Sequence, residues 1–401
     1  MSAVPAVDGT DEFLNRPPRR LLVGGPTLGQ AFDPRSNALN AWRLMMATGV
    51  VLWHSWPLTG RDISFAPVHQ LLRDVWVDGF FAISGFLITW SWFRHPRVRD
   101  YVVARGLRIL PGLWACLAVT ALVIAPIGVA IQGGSPAKLL LSWEPLLYIV
   151  ANSAVVVVKH DIGGTPTGIP WPGQWDGPLW TLIFEAICYV AVAVLGVTGL
   201  LRRRWVIPGL LVLALVWSAR LPSLSGLMEQ PPSAQNTIDA ATAVMVVQGV
   251  SARFAVMFLA GALIYQYRDR IPARWWLVAL SVIIVLASSL LPNYRLTGAV
   301  PLAYAIIVSG ALLRQPWLNL RTDLSYGVYI YGWPVQQLLI MCGLGVLNPF
   351  VFATVAALAT LPLAALSWFV VEKPALAMKA RLRRKNEVAG RPPPKRRNPG
   401  H

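Results

Sequence analysis

The chain has 401 residues, 55% of them hydrophobic and 13% charged, against roughly 25% charged in an ordinary soluble domain. Its apolar residues gather in runs of about twenty, the length that crosses a hydrocarbon core of ~30 Å, so most soluble classes are excluded and a polytopic membrane protein is expected. The formal net charge of +17 would suggest nucleic acid as partner to a soluble protein, but its distribution around the apolar runs records membrane topology, and no nucleic acid is expected.

Residues 1–37 are polar and rich in Pro and Gly, without an apolar stretch long enough for a signal peptide; they read as a disordered cytoplasmic tail. Ten spans follow, at about 39–57, 74–93, 106–126, 178–199, 205–221, 253–267, 275–291, 297–313, 324–344 and 350–371. They make 38–373 one all-α membrane domain, a helical bundle of about ten transmembrane helices. Two intervening segments, 127–177 and 222–252, are longer than turns. The apolar stretch 139–158 is bracketed by Lys138 and Lys159 and interrupted by Glu144 and Asn152. Counting it as an eleventh span would flip every later loop, so a re-entrant or interfacial segment is expected there.

With the spans so drawn, 28 of the 35 Lys and Arg fall on one side, the excess expected of cytoplasmic loops. An even number of spans then puts both termini in the cytoplasm, with Asp161 and Glu229 outside and Arg203 and Lys395 inside. Residues 374–401 read as a basic disordered tail beside anionic lipid. Cys116, Cys188 and Cys342 fall in apolar runs and read as small core hydrophobes rather than a disulfide framework or metal site; no metal is expected.

The first span carries Arg43 and His54. Eleven residues at 100° each return to within about 20° of the starting direction after a rise of ~16 Å, so both face one side of the helix at two depths. Ionisable groups inside a span are costly and usually mark a polar pathway; the competing explanation is that Arg43 snorkels to headgroups and His54 bonds a neighbouring helix. In the second span Asp78 and Ser84 interrupt an aromatic stretch, and Gly79 and Gly85 permit close helix packing. Arg105 and Arg108, at i and i+3 by the mouth of the third span, share a helix face suited to a polyanion, although positive-inside topology alone also puts arginines there. Glu185 lies about two turns into the fourth span, near Leu182 and Tyr189, where a buried carboxylate needs an Arg, His or hydroxyl partner. A structural ion pair is the alternative.

Taken in order, these segments resemble the integral-membrane acyltransferase family 3, the bacterial O-acyltransferases of surface polysaccharides and lipids. The resemblance is carried by R-x10-H at Arg43 and His54, F-F-x-x-S-G-F over 80–86, R-x-x-R-I-L-P over 105–111 and W-[ST]-L-x-x-E over 180–185. S-Y-G-x-Y from Ser325 and E-x-P from Glu372 add support. Ala186 and Cys188 stand where the family often has a second acid and an aromatic, and Gly332 stands where a histidine is common. The base role therefore concentrates on His54.

The resemblance implies an enzyme of the plasma (inner) membrane that moves an acyl group, acetyl in the first instance, from acyl-CoA to a hydroxyl of an envelope glycan or glycolipid acceptor. The family's acceptors include mycolate-bearing trehalose lipids, and the Ala- and Arg-rich composition tilts weakly toward such envelope glycolipids. Acetyl-CoA or another acyl-CoA would be held by Arg43, Arg105, Arg108 and Ser84, with His54 as base or acyl relay and Glu185 or Asp78 orienting it or binding the acceptor. A transporter or flippase of lipid-linked saccharides is the rival function. It is disfavoured by the single histidine at depth above a cytoplasmic arginine cluster.

Overall fold

The computed structural model describes residues 25–94, 96–222, 239–320 and 322–378. Glu229, Lys395 and most of the two expected tails therefore lie outside the described residues. Among those described no β-strand forms, and only three isolated bridges occur. Each of the ten expected spans is occupied by a helix.

These are α1 (Leu39–Leu58), α2 (Ala66–Arg94) and α3 (Val98–Val119), the last continuing through a π turn, Thr120–Ile124, into α4 (Ala125–Ile131). The stretch considered as an eleventh span folds instead as α5 (Glu144–Asn152). Nine residues rise only ~14 Å, about half a bilayer core. Then come α6 (Leu182–Val197), α7 (Val206–Arg220), α8 (Ala240–Gln266), α9 (Trp275–Ser288), α10 (Arg295–Leu312), α11 (Ser325–Met341) and α12 (Pro349–Ser367). A second π turn, Trp368–Glu372, extends α12.

Among the described residues, five stretches are long and apolar enough to cross a membrane: Val98–Ile131, Pro178–Val197, Ala240–Gln266, Arg295–Leu312 and Pro349–Met378. Helices α7 and α9 are apolar but shorter. Helices α1, α2 and α11 fall outside that set. Outward residues such as Val212, Leu213, Ile283 and Leu286 are exposed, as a surface in contact with lipid requires.

The most extensive helix contact is between α2 and α8, and two glycines set its closeness. A Cβ on Gly85 would stand 1.9 Å from the Phe258 carbonyl oxygen, and one on Gly261 1.9 Å from that of Ala82. Each helix thus offers bare backbone to the other, which is how small residues let helices approach without a hydrophobic driving force. Gly79 meets Met46 of α1. Helix α11 is buried from Ser325 to Gln337, between α1, α12 and the α3–α4 helix.

Residues 26–33, expected as part of the tail, belong to the packed body. Leu28 N–H donates to the Ile271 carbonyl at 2.8 Å and Ala273 N–H to that of Pro26 at 2.9 Å, and Leu28 is fully buried. A single leucine turn docked on the loop after α8 suffices to anchor a stretch whose composition alone reads as disordered. Of the cysteines, Cys116 is buried, Cys188 half-buried and Cys342 exposed, all with free thiols, so only Cys116 sits in the core.

Candidate active site

Helices α1 and α11 run side by side in the same direction and bring two separated sets of side chains together. At their starts lies an arginine cluster. Arg43 of α1 and Arg108 of α3 both contact Oδ2 of Asp323 at 2.5 Å, and Arg108 also lies 3.8 Å from Glu372. Two guanidiniums thus share one carboxylate just before α11. Burial pushes the Asp323 carboxyl up, but Arg108, Arg43 and the Ser325 hydroxyl outweigh it and bring it down to about 2.

Arg105, one turn before Arg108, has no carboxylate partner among the described residues. Its guanidinium lies over the rings of Tyr101 and Tyr189, at 5.9 and 5.7 Å from their centroids. Its Nε is buried without a hydrogen-bond partner. An orphaned donor of this kind, beside two guanidiniums held by Asp323 and Glu372, leaves Arg105 able to bind an anionic group.

Glu185 of α6 joins the same end. It accepts hydrogen bonds from Ser84 of α2, at 3.3 Å, and from the Tyr189 hydroxyl. No ion pair within 4 Å reaches it among the described residues, and neither does His54. The four-residue spacing of Glu185 and Tyr189 explains the second bond, since i and i+4 are neighbours on a helix.

His54 lies near the other end of α1. Its ring meets Trp333 of α11 edge to face, with centroids 4.7 Å apart and planes at 82°, and it has no hydrogen-bond partner among the described residues. Gln336 of α11 donates to the Val51 carbonyl and the Ser55 hydroxyl at 2.9 and 3.0 Å, tying the helices together beside it. A Cβ on Gly332 would stand 2.8 Å from Val51, so this close seam admits no histidine there without a shift. Along α11 the residues Tyr326, Tyr329 and Trp333 share one face between the two ends. Tyr329 bonds Thr181 at 2.6 Å and packs against Phe80.

Asp78 belongs to neither end. Together with Asp74, one helical turn earlier, it forms a buried network with Arg253 of α8 and Arg295 of α10. Arg253 and Arg295 contact the Asp78 oxygens at 2.7 and 2.6 Å and those of Asp74 at 2.9 and 2.6 Å. Tyr294 donates to Asp78 at 2.5 Å, and Arg73 pairs with Asp74 at 3.0 Å. Among the described residues Asp78 has no contact with His54 or Glu185. The i, i+4 acid pair Asp74 and Asp78 and the lone Arg253 in an apolar run were the signals for this network.

A last buried acid, Asp176, sits in the outer loop. It accepts from the Tyr148 hydroxyl at 2.5 Å, with the Cys116 thiol 4.0 Å away. Burial pushes its carboxyl up to about 7 against the opposing bonds from Tyr148 and Thr120. Asp176 and Asp323 both escaped the sequence analysis. Each lies in a polar connection where an acid is ordinary, and only the tertiary fold buries it.

Two known proteins are similar to this chain over most of its length. The chain is 27% identical over 370 residues to nodulation protein 10 of Rhizobium leguminosarum bv. viciae, covering 89% of this chain and 98% of that one. It is 25% identical over 363 residues to an O-acetyl transferase of Shigella phage Sf6, covering 84% and 96%. No solved structure matches. The acyltransferase-domain profile of family 3 spans residues 36–369, from just before α1 into the last π turn, taking in both Arg43 and His54, and the chain therefore belongs to acyltransferase family 3.

Proposed function

We propose that the protein is a membrane O-acyltransferase that takes an acyl group, acetyl in the first instance, from cytosolic acyl-CoA and esterifies a hydroxyl of an envelope glycan or glycolipid. The observation that carries this reading is the pairing of an arginine cluster with the His54 imidazole one helix-length away on parallel helices. Arg43 to His54 rises ~16 Å along α1 and Asp323 to Trp333 ~15 Å along α11, a separation suited to an extended donor with an anionic end and a reactive end. Arg43, Arg105 and Arg108 would grip the phosphates, with Ser84 and Glu185 lining the same end.

In the direct route His54 accepts the acceptor hydroxyl's proton as its oxygen attacks the thioester carbonyl. The carbon–sulfur bond then breaks and the thiolate takes the proton back from the imidazolium. In the relay route the imidazole nitrogen attacks the thioester carbonyl, the carbon–sulfur bond breaks and the thiol leaves with the imidazole proton; the acceptor hydroxyl then attacks the acyl-imidazole, the carbon–nitrogen bond breaks and the ring nitrogen takes the hydroxyl proton. The absence of a carboxylate against His54 among the described residues favours neither Glu185 nor Asp78 as its orienter. In this reading Glu185 serves the donor end, and Asp78 holds Arg253 and Arg295 in place toward the acceptor side. The name of one relative, an O-acetyl transferase, supports acetyl. The charge asymmetry of the loops supports both termini in the cytoplasm of a plasma-membrane enzyme.

The test is complementation of a deletion strain with His54→Ala, scored by mass spectrometry of envelope lipids and glycans for a gain of one acetyl group. We expect the product to disappear while membrane levels of the protein stay normal, because removing an imidazole from an apolar helix does not hinder insertion. Full product from the variant would refute the assignment.

A further inference from the structure

We infer that Trp333 is a positioning residue that sets the orientation of the His54 imidazole and connects it to the outer loop before α6; the inference rests on the role proposed for His54. A general base or nucleophile works only when its reacting nitrogen is aligned, and a third group bonded to the ring normally supplies that alignment. Here no such bond exists among the described residues, and the edge-to-face contact with Trp333 stands in its place.

An indole can serve this purpose only if it is itself immobile, and Trp333 is held on every side. Its Nε1 donates to the Gln174 carbonyl at 3.2 Å. Trp171 packs against it edge to face at 5.6 Å, with its own Nε1 on the Gln174 side chain at 2.8 Å. The backbone of Gly177 covers the indole so closely that a Cβ there would stand 2.4 Å from Trp333 Cδ2. Gln337, next but three along α11, donates to the Trp171 and Gln174 carbonyls at 2.8 and 2.9 Å. The loop is thereby pinned to the helix at two carbonyls, while Gln336 fixes α11 against α1 one turn from His54.

Both glutamines are fully buried, and a buried amide is kept at such depth only by its bonds. The chain of contact from outer loop to indole to imidazole is thus continuous and stiff. A loop on the acceptor side is therefore mechanically joined to the group that meets the acceptor.

The experiment uses the full chain purified in detergent, labelled acetyl-CoA, and total envelope lipids and glycans of a deletion strain as acceptor pool. Trp333→Phe keeps a ring and loses the Nε1 anchor; Trp333→Ala loses both. We expect transfer to fall about 10-fold and about 100-fold respectively, the cost of misplacing a reacting group by ~1 Å, with acetyl-CoA affinity unchanged. Any trace of transfer that the purified His54→Ala variant retains should fall no further when Trp333→Ala is added. Wild-type transfer by Trp333→Ala, beside an inactive His54→Ala, overturns this inference alone. Equal losses in both backgrounds also overturn it, since Trp333 then acts apart from His54. Full activity of His54→Ala overturns the reading beneath it. If Trp333→Ala fails to fold, Trp333→Phe and Trp171→Phe decide: unchanged transfer in both refutes the proposal, and a fall at constant acetyl-CoA affinity supports it.

Discussion

Single residues here are defined by partners the chain brings from far away. Glu185 accepts from Ser84 and Tyr189 and, among the described residues, pairs with no cation, so Glu185→Gln preserves shape and acceptor capacity without stranding a buried charge. Its melting temperature should stay near that of the wild type, whereas loss of half a buried ion pair typically costs ~3–5 kcal/mol; turnover with acetyl-CoA should fall. Thermal unfolding and transfer assayed on one preparation check this. Asp176 makes a pH prediction. Its folded carboxyl is raised from 3.8 to about 7, so the folded state binds the proton more tightly. That contribution to stability is complete below the unfolded value and is lost as pH rises through about 7. The wild type should melt lower at pH 8 than at pH 5, and Asp176→Asn, which keeps an oxygen for the Tyr148 hydroxyl, should reduce that dependence.

Among the elements, the α2–α8 crossing depends on bare backbone. Gly85→Ala would drive a methyl into the Phe258 carbonyl and should cost at least the ~1–3 kcal/mol of an overpacked core. Gly249→Ala, also in α8 but with nothing within 4 Å of the added carbon, should be neutral or stabilising by ~0.5–1 kcal/mol through helix propensity. Melting temperatures of the two variants in detergent test the difference. The same crossing holds Asp74 and Asp78 against Arg253, so the glycines and the charge network are one packing solution. A charge network is tolerable inside a membrane bundle only where backbones come close enough to pair it fully.

For the molecule as a whole, the arginine cluster and His54 occupy opposite ends of the parallel pair α1 and α11. The proposed topology puts the arginines at the cytoplasmic end and the α5 loop outside. In a background lacking the three native cysteines, a cysteine at position 161 should react with an impermeant reagent on intact cells. One at position 203 should react only after lysis. Labelling of position 203 from outside would invert the charge argument and place the arginine cluster away from cytosolic acyl-CoA.

The sequence by itself determined the helical bundle, the presence of a helix at each expected span and the polar positions Arg43, His54, Ser84, Arg105, Arg108 and Glu185. These are legible because apolar runs have a length set by the bilayer, and because a charge within such a run is conspicuous. Tertiary structure alone decided which of them meet. It gathered Arg43, Arg108 and Asp323 at one end, set Glu185 on Ser84 and Tyr189, drew Asp78 into a network with Arg253 and Arg295, and left His54 against Trp333. The physical reason is that helical periodicity gives the direction of a side chain about its own axis and its depth, but not which neighbouring helix it faces. That choice is made by close backbone packing at positions such as Gly85 and Gly261, and by loop residues such as Asp176 and Asp323 whose burial no local pattern records.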